Sequence, residues 1–290
     1  CASVSQARNR GNKKEGGSTE MSGNLIKPAQ WSVVTGASSG IGLEFSRQLA
    51  AMGSNLVMIS NQPHELEDEA RKIASASGIM VLPLEVDLTA ADAEDKILAF
   101  LRSNGIVPYL LVNNAGIFDF RAVGELSSER IDVYIDLHIR AVTRLSRSIG
   151  ALMAGNGGGR ILNMSSMSCW MPMPGIAMYS ATKAYIRAFS RAYRIEMKDC
   201  GVSVTVACPG GIATNLFGLP PQLQRLGVSL GVLMTPQAFV RRALKRTFRG
   251  KAQYINGLLN RVSIVFVASL PEWARSGIKH RLLDKMNRQK

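Results

Sequence analysis

Acidic residues are scarce in the last third of this sequence. Residues 181–290 hold 4 Asp and Glu against 19 Lys and Arg, while residues 1–180 hold 17 against 16, so the net charge of +14 belongs to one end of the chain. Such a one-sided field attracts anions: a phosphate-bearing cofactor or acyl carrier, an anionic lipid surface, or no partner at all if it only keeps the chain solvated. Nucleic acid fits poorly, because no aromatic residues are interleaved with the basic ones and no zinc-finger or RNA-recognition signature is present. Cysteine is also rare. Cys1, Cys169, Cys200 and Cys208 form no C-x-x-C pair, which argues against a disulfide framework and reads as free thiols in a reducing, cytoplasmic setting. Long apolar runs are missing too: the run at 262–270 (VSIVFVASL) is far short of the ~20 residues that a membrane-spanning helix needs.

What is present is enough apolar material, 46% of 290 residues, for one large core. Residues 1–20 are polar, rich in Gly and Ser and without periodicity, and are expected to be a disordered tail; Met21 is a candidate start, and a lipoprotein beginning at Cys1 is the alternative. From residue 31 to about 254, short runs rich in Val, Ile and Leu alternate with stretches of helical period. The expected strands are 31–34, 56–60, 80–84, 109–112, 160–163 and 202–207, and the expected helices 42–52, 65–75, 90–103, 128–153 and 179–198. Strands apolar on both faces belong to a sheet covered by helices above and below, so the fold class is α/β: a doubly wound parallel sheet of the Rossmann type, with a catalytic domain over 21–255. Thr235-Pro236 opens a further helix, with Thr as N-cap and Pro at the first helical position. Residues 256–290 read as a basic, helical C-terminal extension. It either packs over the domain or at a subunit contact of a homo-oligomer, or rests on an anionic membrane.

The first strand runs into Thr35-Gly36-Ala37-Ser38-Ser39-Gly40-Ile41-Gly42 and then a helix. Glycines at 36, 40 and 42 allow a tight turn and a close approach to a pyrophosphate, and the helix aims free N–H groups at it. The spacing is neither G-x-G-x-x-G nor a Walker loop. Together with Asn113-Asn114-Ala115-Gly116, Ser166, Tyr179-Ser180-Ala181-Thr182-Lys183 and Pro209-Gly210-Gly211-Ile212-Ala213-Thr214, it resembles the short-chain dehydrogenase/reductase family from about Lys27 to Tyr254. A looser similarity over 241–282 points to bacterial members related to the 17β-hydroxysteroid and 3-oxoacyl reductases.

The resemblance implies that Ser38, Ser39 and Ile41 join the three glycines at the cofactor, with Asp87 at the adenine and Leu88 beside it. It also implies that Asn113, Ala115 and Gly116 back the cofactor at the end of the central strand, and that Thr214, after Pro209 and Gly210, meets the nicotinamide carboxamide. Asp87 and Asn113 could instead only cap turns. The second strand ends Ser60-Asn61 with no carboxylate to bind a ribose 2′-hydroxyl and repel a 2′-phosphate, so NADP(H) is favoured, with NAD(H) not excluded.

Tyr179 and Lys183, four apart on one helix, share a face. A nearby ammonium and an oxidised nicotinamide would lower the phenol's pKa, so that Tyr179 could serve as general acid/base. Lys183 would also hold the ribose hydroxyls. The family's spacing selects Ser166 over Ser165 to bind the carbonyl oxygen. Where the family carries a relay asparagine, this chain has His138, which could bridge to water and titrate near neutrality, or sit as a satisfied core residue. Residues 215–230 would form an apolar lid, and Met167, Cys169, Trp170, Met171 and Met173 would line a pocket for a hydrophobic ketone or aldehyde, possible forms being a 3-oxoacyl thioester on an anionic carrier, a sterol-like ketone or a lipid aldehyde. A cofactor-binding sensor or scaffold with weakened catalysis, and a peripheral membrane protein acting on lipid carbonyls, stay open as alternatives.

Overall fold

In a computed structural model of the chain, the described residues are 30–213 and 233–278, with the single positions 222, 225 and 228. The tail expected at 1–20, Thr214, most of the lid segment and the basic residues from Lys279 onward lie outside them.

Strands β1 (Trp31–Thr35), β2 (Asn55–Ser60), β3 (Val81–Glu85), β4 (Pro108–Asn113), β5 (Gly159–Met164), β6 (Val202–Cys208) and β7 (Gln253–Ile255) form one parallel sheet in the order β3-β2-β1-β4-β5-β6-β7. Val33 sits in register with Val57 on one side and Leu111 on the other, and all six residues of β2 are buried. β-branched and leucine side chains fill both faces of such inner strands, which is why the strands appear in the sequence as continuous apolar runs. β3 is an edge strand, half-exposed, and tolerates Pro83 where an inner strand would lose a ladder bond.

Helices α1 (Gly40–Ala51), α2 (Pro63–Ser77) and α7 (Pro236–Phe248) cover one face, burying Phe45, Leu49, Leu66, Phe239 and Leu244. Helices α3 (Ala93–Ser103), α5 (Val142–Gly155) and α6 (Ala177–Glu196) cover the other with Ile97, Leu101, Leu145, Ile149 and Tyr193. Each fully buried Leu or Ile contributes roughly 1.5–3 kcal/mol. The local signals act as expected. In α2, Pro63 stands in the first turn, Leu66, Ala70 and Ile73 are buried at helical spacing, and Gly78 ends the helix at φ +68°. In α7, the Thr235 hydroxyl accepts the Ala238 N–H at 3.3 Å.

Three features depart from the expectations. The single helix expected over 128–153 is α4 (Ser128–Ile135) and α5 joined by a π-helical turn, Asp136–Ala141. β7 is an unexpected seventh strand, only three residues long. The C-terminal segment forms α8 (Leu258–Ala268) and α9 (Glu272–Ile278), the first starting four residues before the apolar run. Among the described residues, no helix is long and apolar enough to cross a membrane.

Candidate active site

The strand order reverses between β1 and β4, opening a crevice at the carboxyl ends of the strands, where parallel sheets of this type bind ligands. The turn after β1 is built around contacts that leave no room for side chains. A Cβ on Gly42 would lie 2.0 Å from the Gly36 carbonyl oxygen, and one on Gly36, at φ +63°, would lie 2.9 Å from the Ala115 Cα. Asn114 secures this contact. Its Nδ2 donates to the Thr35 carbonyl at 3.0 Å, and the Thr35 hydroxyl accepts the N–H groups of Asn114 and Ala115 at 2.9 and 3.0 Å. The sequence alone assigns no role to Thr35 or Asn114, although both stand inside the motifs that carry the family resemblance.

The turn fits a dinucleotide's phosphates. The N-cap of α1, Ser39, makes no side-chain capping bond, the first turn holds no acidic residue, and a Cβ on Gly40 would meet nothing within 4 Å. Open space therefore faces an uncapped, positively polarised helix end. Ile41 is half-buried beside it. Ser38 hydrogen-bonds Ser60 at 2.9 Å and donates to the Gln62 side chain at 2.8 Å, forming a polar cluster at the end of β2 next to exposed Asn61.

Asp87 forms a local turn, its Oδ1 accepting from the Thr89 N–H and hydroxyl at 2.9 and 2.8 Å, with Leu88 buried beside it. Asn113 is 3% exposed, and its Nδ2 donates to the Ser146 hydroxyl at 3.1 Å and the Asn163 Oδ1 at 2.9 Å; Asn163 in turn donates to Ser190. This buried network ties β4 and β5 to α5 and α6, and every member has a partner.

Tyr179 and Lys183 converge in the core of the site, each 5% exposed. The Lys183 Nζ lies 5.5 Å from the phenol ring centroid and donates to the Met164 carbonyl at 3.0 Å. Gly116, exposed at the surface, covers it: a Cβ there would stand 3.5 Å from that Nζ and 3.0 Å from the His138 Nε2. Gly36, Ala115, Gly116 and Lys183 thus form a continuous line from the phosphate turn to the amine. Burial pushes the Tyr179 phenol up to about 12, partly offset by a hydrogen bond from Ser166, and pulls the Lys183 amine down to about 8. The expected lowering of the phenol's pKa is therefore corrected for the protein alone, because burial outweighs every opposing influence. The hydroxyl of Ser165, the competing serine, is used elsewhere, donating to the Lys183 carbonyl at 2.7 Å.

His138 is fully buried within the π-helical turn. Its Nε2 accepts the Ile117 N–H at 3.1 Å, and its Nδ1 lies 2.9 Å from the Thr182 hydroxyl, which donates to the Tyr179 carbonyl. Those partners fit a neutral ring protonated at Nδ1. Burial first, and then Lys183 and Arg130, push its pKa well below the usual 6.5, so it does not titrate near neutrality.

The expected pocket residues Met167, Cys169, Trp170, Met171 and Met173 are all half-buried; Cys169 and Trp170 also pack against the cluster of Ile186 and Cys208, and Cys169 acts electrostatically on the Tyr179 phenol. The Arg187 guanidinium covers the Trp170 ring at 4.4 Å. Cys169 and Cys208 are free thiols, but Cys200 is disulfide-bonded, so the reading of the cysteines as free thiols is corrected at that position. Phe118 stands edge-on to Tyr179 at 5.0 Å, a contact that no sequence motif marks. At the end of β6, the Gly210 N–H donates to Asn256 Oδ1 at 2.6 Å, and a Cβ on Gly210 would clash with Asn260 at 2.4 Å; the Pro209 carbonyl accepts the Met167 N–H at 2.8 Å.

The profile of the short chain dehydrogenases matches residues 30–220. A very-long-chain 3-oxoacyl-CoA reductase of Bos taurus is 31% identical over 274 residues, covering 89% of this chain and 83% of the relative. A 17-beta-hydroxysteroid dehydrogenase type 3 of Homo sapiens is 31% identical over 262 residues, covering 89% and 81%. A solved short-chain dehydrogenase from Sphingobium yanoikuyae, in complex with NADPH, superposes at a TM-score of 0.71 with 26% identity over 84% of this chain and 97% of that one. With its parallel sheet, glycine turn and buried tyrosine–lysine pair, this chain belongs to the short-chain dehydrogenase/reductase family of oxidoreductases.

Proposed function

We propose that this protein reduces a hydrophobic ketone or aldehyde to its alcohol with NADP(H), Tyr179 donating the proton to the carbonyl oxygen. The observation that carries the reading is the burial of Tyr179 and Lys183 together beneath Gly116, in line with the phosphate turn. A bound nicotinamide supplies or accepts the hydride. Tyr179 is held protonated at neutral pH by burial, with a pKa of about 12, and so carries the proton that the carbonyl oxygen receives. Ser166 hydrogen-bonds the phenol and orients the carbonyl oxygen beside it. Lys183 holds the ribose hydroxyls and keeps a positive charge near the phenol below pH 8.

The phosphates rest on Gly36, Ser38, Ser39, Gly40, Ile41 and Gly42; Asp87 and Leu88 take the adenine end, and Asn113, Ala115 and Gly116 back the centre. Pro209, Gly210 and Thr214 take the carboxamide. The NADP(H) preference rests on the missing carboxylate after β2, on the polar cluster of Ser38, Ser60 and Gln62 beside Asn61, and on NADPH in the similar Sphingobium enzyme. His138 acts by position, since both ring nitrogens are occupied: it holds the segment of Gly116 and Ile117 against the tyrosine's own helical turn. The half-buried methionines and the two relatives' names favour an acyl thioester or a bulky ring ketone, and the basic C-terminal third suits an anionic acyl carrier.

The test is NADPH oxidation with a panel of 3-oxoacyl thioesters, sterol-like ketones and lipid aldehydes. Tyr179→Phe should lower turnover by about 10²–10⁴-fold while NADPH binding persists. Turnover that survives this change overturns the assignment. Cofactor binding with no turnover on any member of the panel favours a sensor instead.

A further inference from the structure

The described C-terminal segment is strongly basic. Residues 233–278 contain eight Lys and Arg and a single acid, Glu272. Helix α7 buries Phe239, Val240, Ala243, Leu244 and Phe248 and turns Arg241, Arg242, Lys245, Arg246 and Arg249 to solvent. Among the described residues, every ion pair lies between residues 47 and 147, so none reaches this face.

Three of these cations lie near one tyrosine. Arg242 and Arg246, one turn apart on α7, and Arg261 on α8 all lie close enough to the Tyr254 phenol to act on it electrostatically. Tyr254 is 5% exposed, and its hydroxyl is buried without a partner; Arg242 approaches it but does not meet hydrogen-bond geometry. A buried tyrosine hydroxyl ordinarily finds a partner. A group of guanidiniums with no carboxylate among them is suited to an anion with several acceptor oxygens, and arginine is the side chain best matched to phosphate.

The surface beside this cluster is apolar. Val262 and Phe266, one turn apart on α8, are 58% and 67% exposed, and Trp273 on α9 is 78% exposed. The opposite side of α8 packs inward through Ile264 and Asn260, and α8 lies against the Met167–Trp170 segment that follows Ser166. Arg275 Nη2 ties α9 to the end of α8 by donating to the Ala268 carbonyl at 2.9 Å.

Phe and Trp beside a field of arginines form the pattern of an interfacial surface, where apolar rings enter the headgroup boundary and cations meet anionic lipid. A second copy of the chain fits this face less well, since it would bring two strongly basic surfaces together. We infer that α7, α8 and α9 dock on an anionic phospholipid bilayer, lipid phosphates resting on the exposed cations Arg242, Arg246 and Arg261 while Val262, Phe266 and Trp273 enter the acyl boundary. Because α8 adjoins the segment after Ser166, docking would bring the substrate side of the enzyme to the lipid. Binding is read without turnover, so its failure would leave the hydride chemistry untouched.

The test uses the full chain with vesicles of phosphatidylcholine, with and without phosphatidylglycerol, followed by co-sedimentation and tryptophan emission. Binding should require phosphatidylglycerol, weaken with salt, and shift the emission to the blue. Arg242→Gln/Arg246→Gln/Arg261→Gln should weaken binding by ~fivefold per charge removed, roughly a hundredfold together. Val262→Ser/Phe266→Ser, at exposed positions that leave thermal stability unchanged, should weaken binding and diminish the shift. Equal binding to neutral vesicles, no binding at low salt, or variants that bind like the parent would each overturn the inference. So would a change from dimer to monomer in Val262→Ser/Phe266→Ser, which would assign the face to a second copy.

Discussion

Lys183→Met should make this protein more stable while disabling it. The lysine amine is 5% exposed, and burial lowers its pKa from 10.5 to about 8. A base with a lowered folded pKa binds fewer protons folded than unfolded between those values, so stability rises with pH across the window from about 8 to 10.5 and the burden is full below it. At about 1.4 kcal/mol per pKa unit, the buried ammonium costs about 3 kcal/mol at pH 7 and about 2 kcal/mol at pH 9. Methionine fills a similar volume without a charge but gives up the hydrogen bond from Nζ to the Met164 carbonyl, a loss of about 1 kcal/mol. Urea denaturation should therefore show Lys183→Met more stable by about 2 kcal/mol at pH 7 and by about 1 kcal/mol at pH 9. Other groups that titrate in this range are common to both proteins and cancel in the difference. Turnover should fall by at least ~10²-fold, a trade of activity for stability expected where a site holds a buried charge. A variant less stable than the parent at pH 7, or a gap that does not narrow by pH 9, would refute the claim that burial governs this amine.

Two further outcomes test the site's geometry. Gly42→Ala places a methyl 2.0 Å from the Gly36 carbonyl oxygen and 2.5 Å from Asn114 Nδ2, so the phosphate turn must shift; NADPH affinity measured by calorimetry should fall by tenfold or more. His138→Leu leaves the Ile117 N–H and the Thr182 hydroxyl without their partner, lowering stability by about 1–3 kcal/mol and reducing kcat. The shape of its pH–rate profile between 6 and 8 should match the parent's, since the imidazole is neutral throughout that range; an inflection lost in the variant would restore a proton-carrying role.

The parts of this molecule that can be read from the sequence are those where one residue type has only one use. Gly36 and Gly42 stand where any Cβ would strike backbone, and the motif around them marks the phosphate turn without any knowledge of the fold. The six longer strands are apolar on both faces, and in a chain where strands alternate with helices that pattern belongs to a sheet covered above and below. β7 is not legible because Gln253-Tyr254-Ile255 is too short to show a period, and its place comes from pairing with β6 at Val206, Ala207 and Cys208. Cys169 and Trp170 lie between Ser166 and Tyr179 in the sequence, a position that points to the pocket. The short helical turn of Met167–Trp170 also packs those two against Ile186 and Cys208, a contact that spacing alone cannot convey.

His138 shows the same limit at the chemical level. Its place in the motif pattern identifies it as a substitution worth notice, yet its protonation depends on two partners 21 and 44 residues away and on complete exclusion of water. The π-helical turn that carries His138 leaves Nε2 facing the Ile117 N–H and Nδ1 facing Thr182. An asparagine there could accept one hydrogen bond and donate another to water, but this imidazole spends both nitrogens on the protein. The same burial acts on the tyrosine. It holds the phenol protonated at neutral pH, with a pKa of about 12, and a neutral imidazole nearby adds no positive charge to lower it. The environment that silences His138 as a titrating group therefore also keeps Tyr179 protonated, so a further positive charge beside the phenol would be needed to make it a stronger acid.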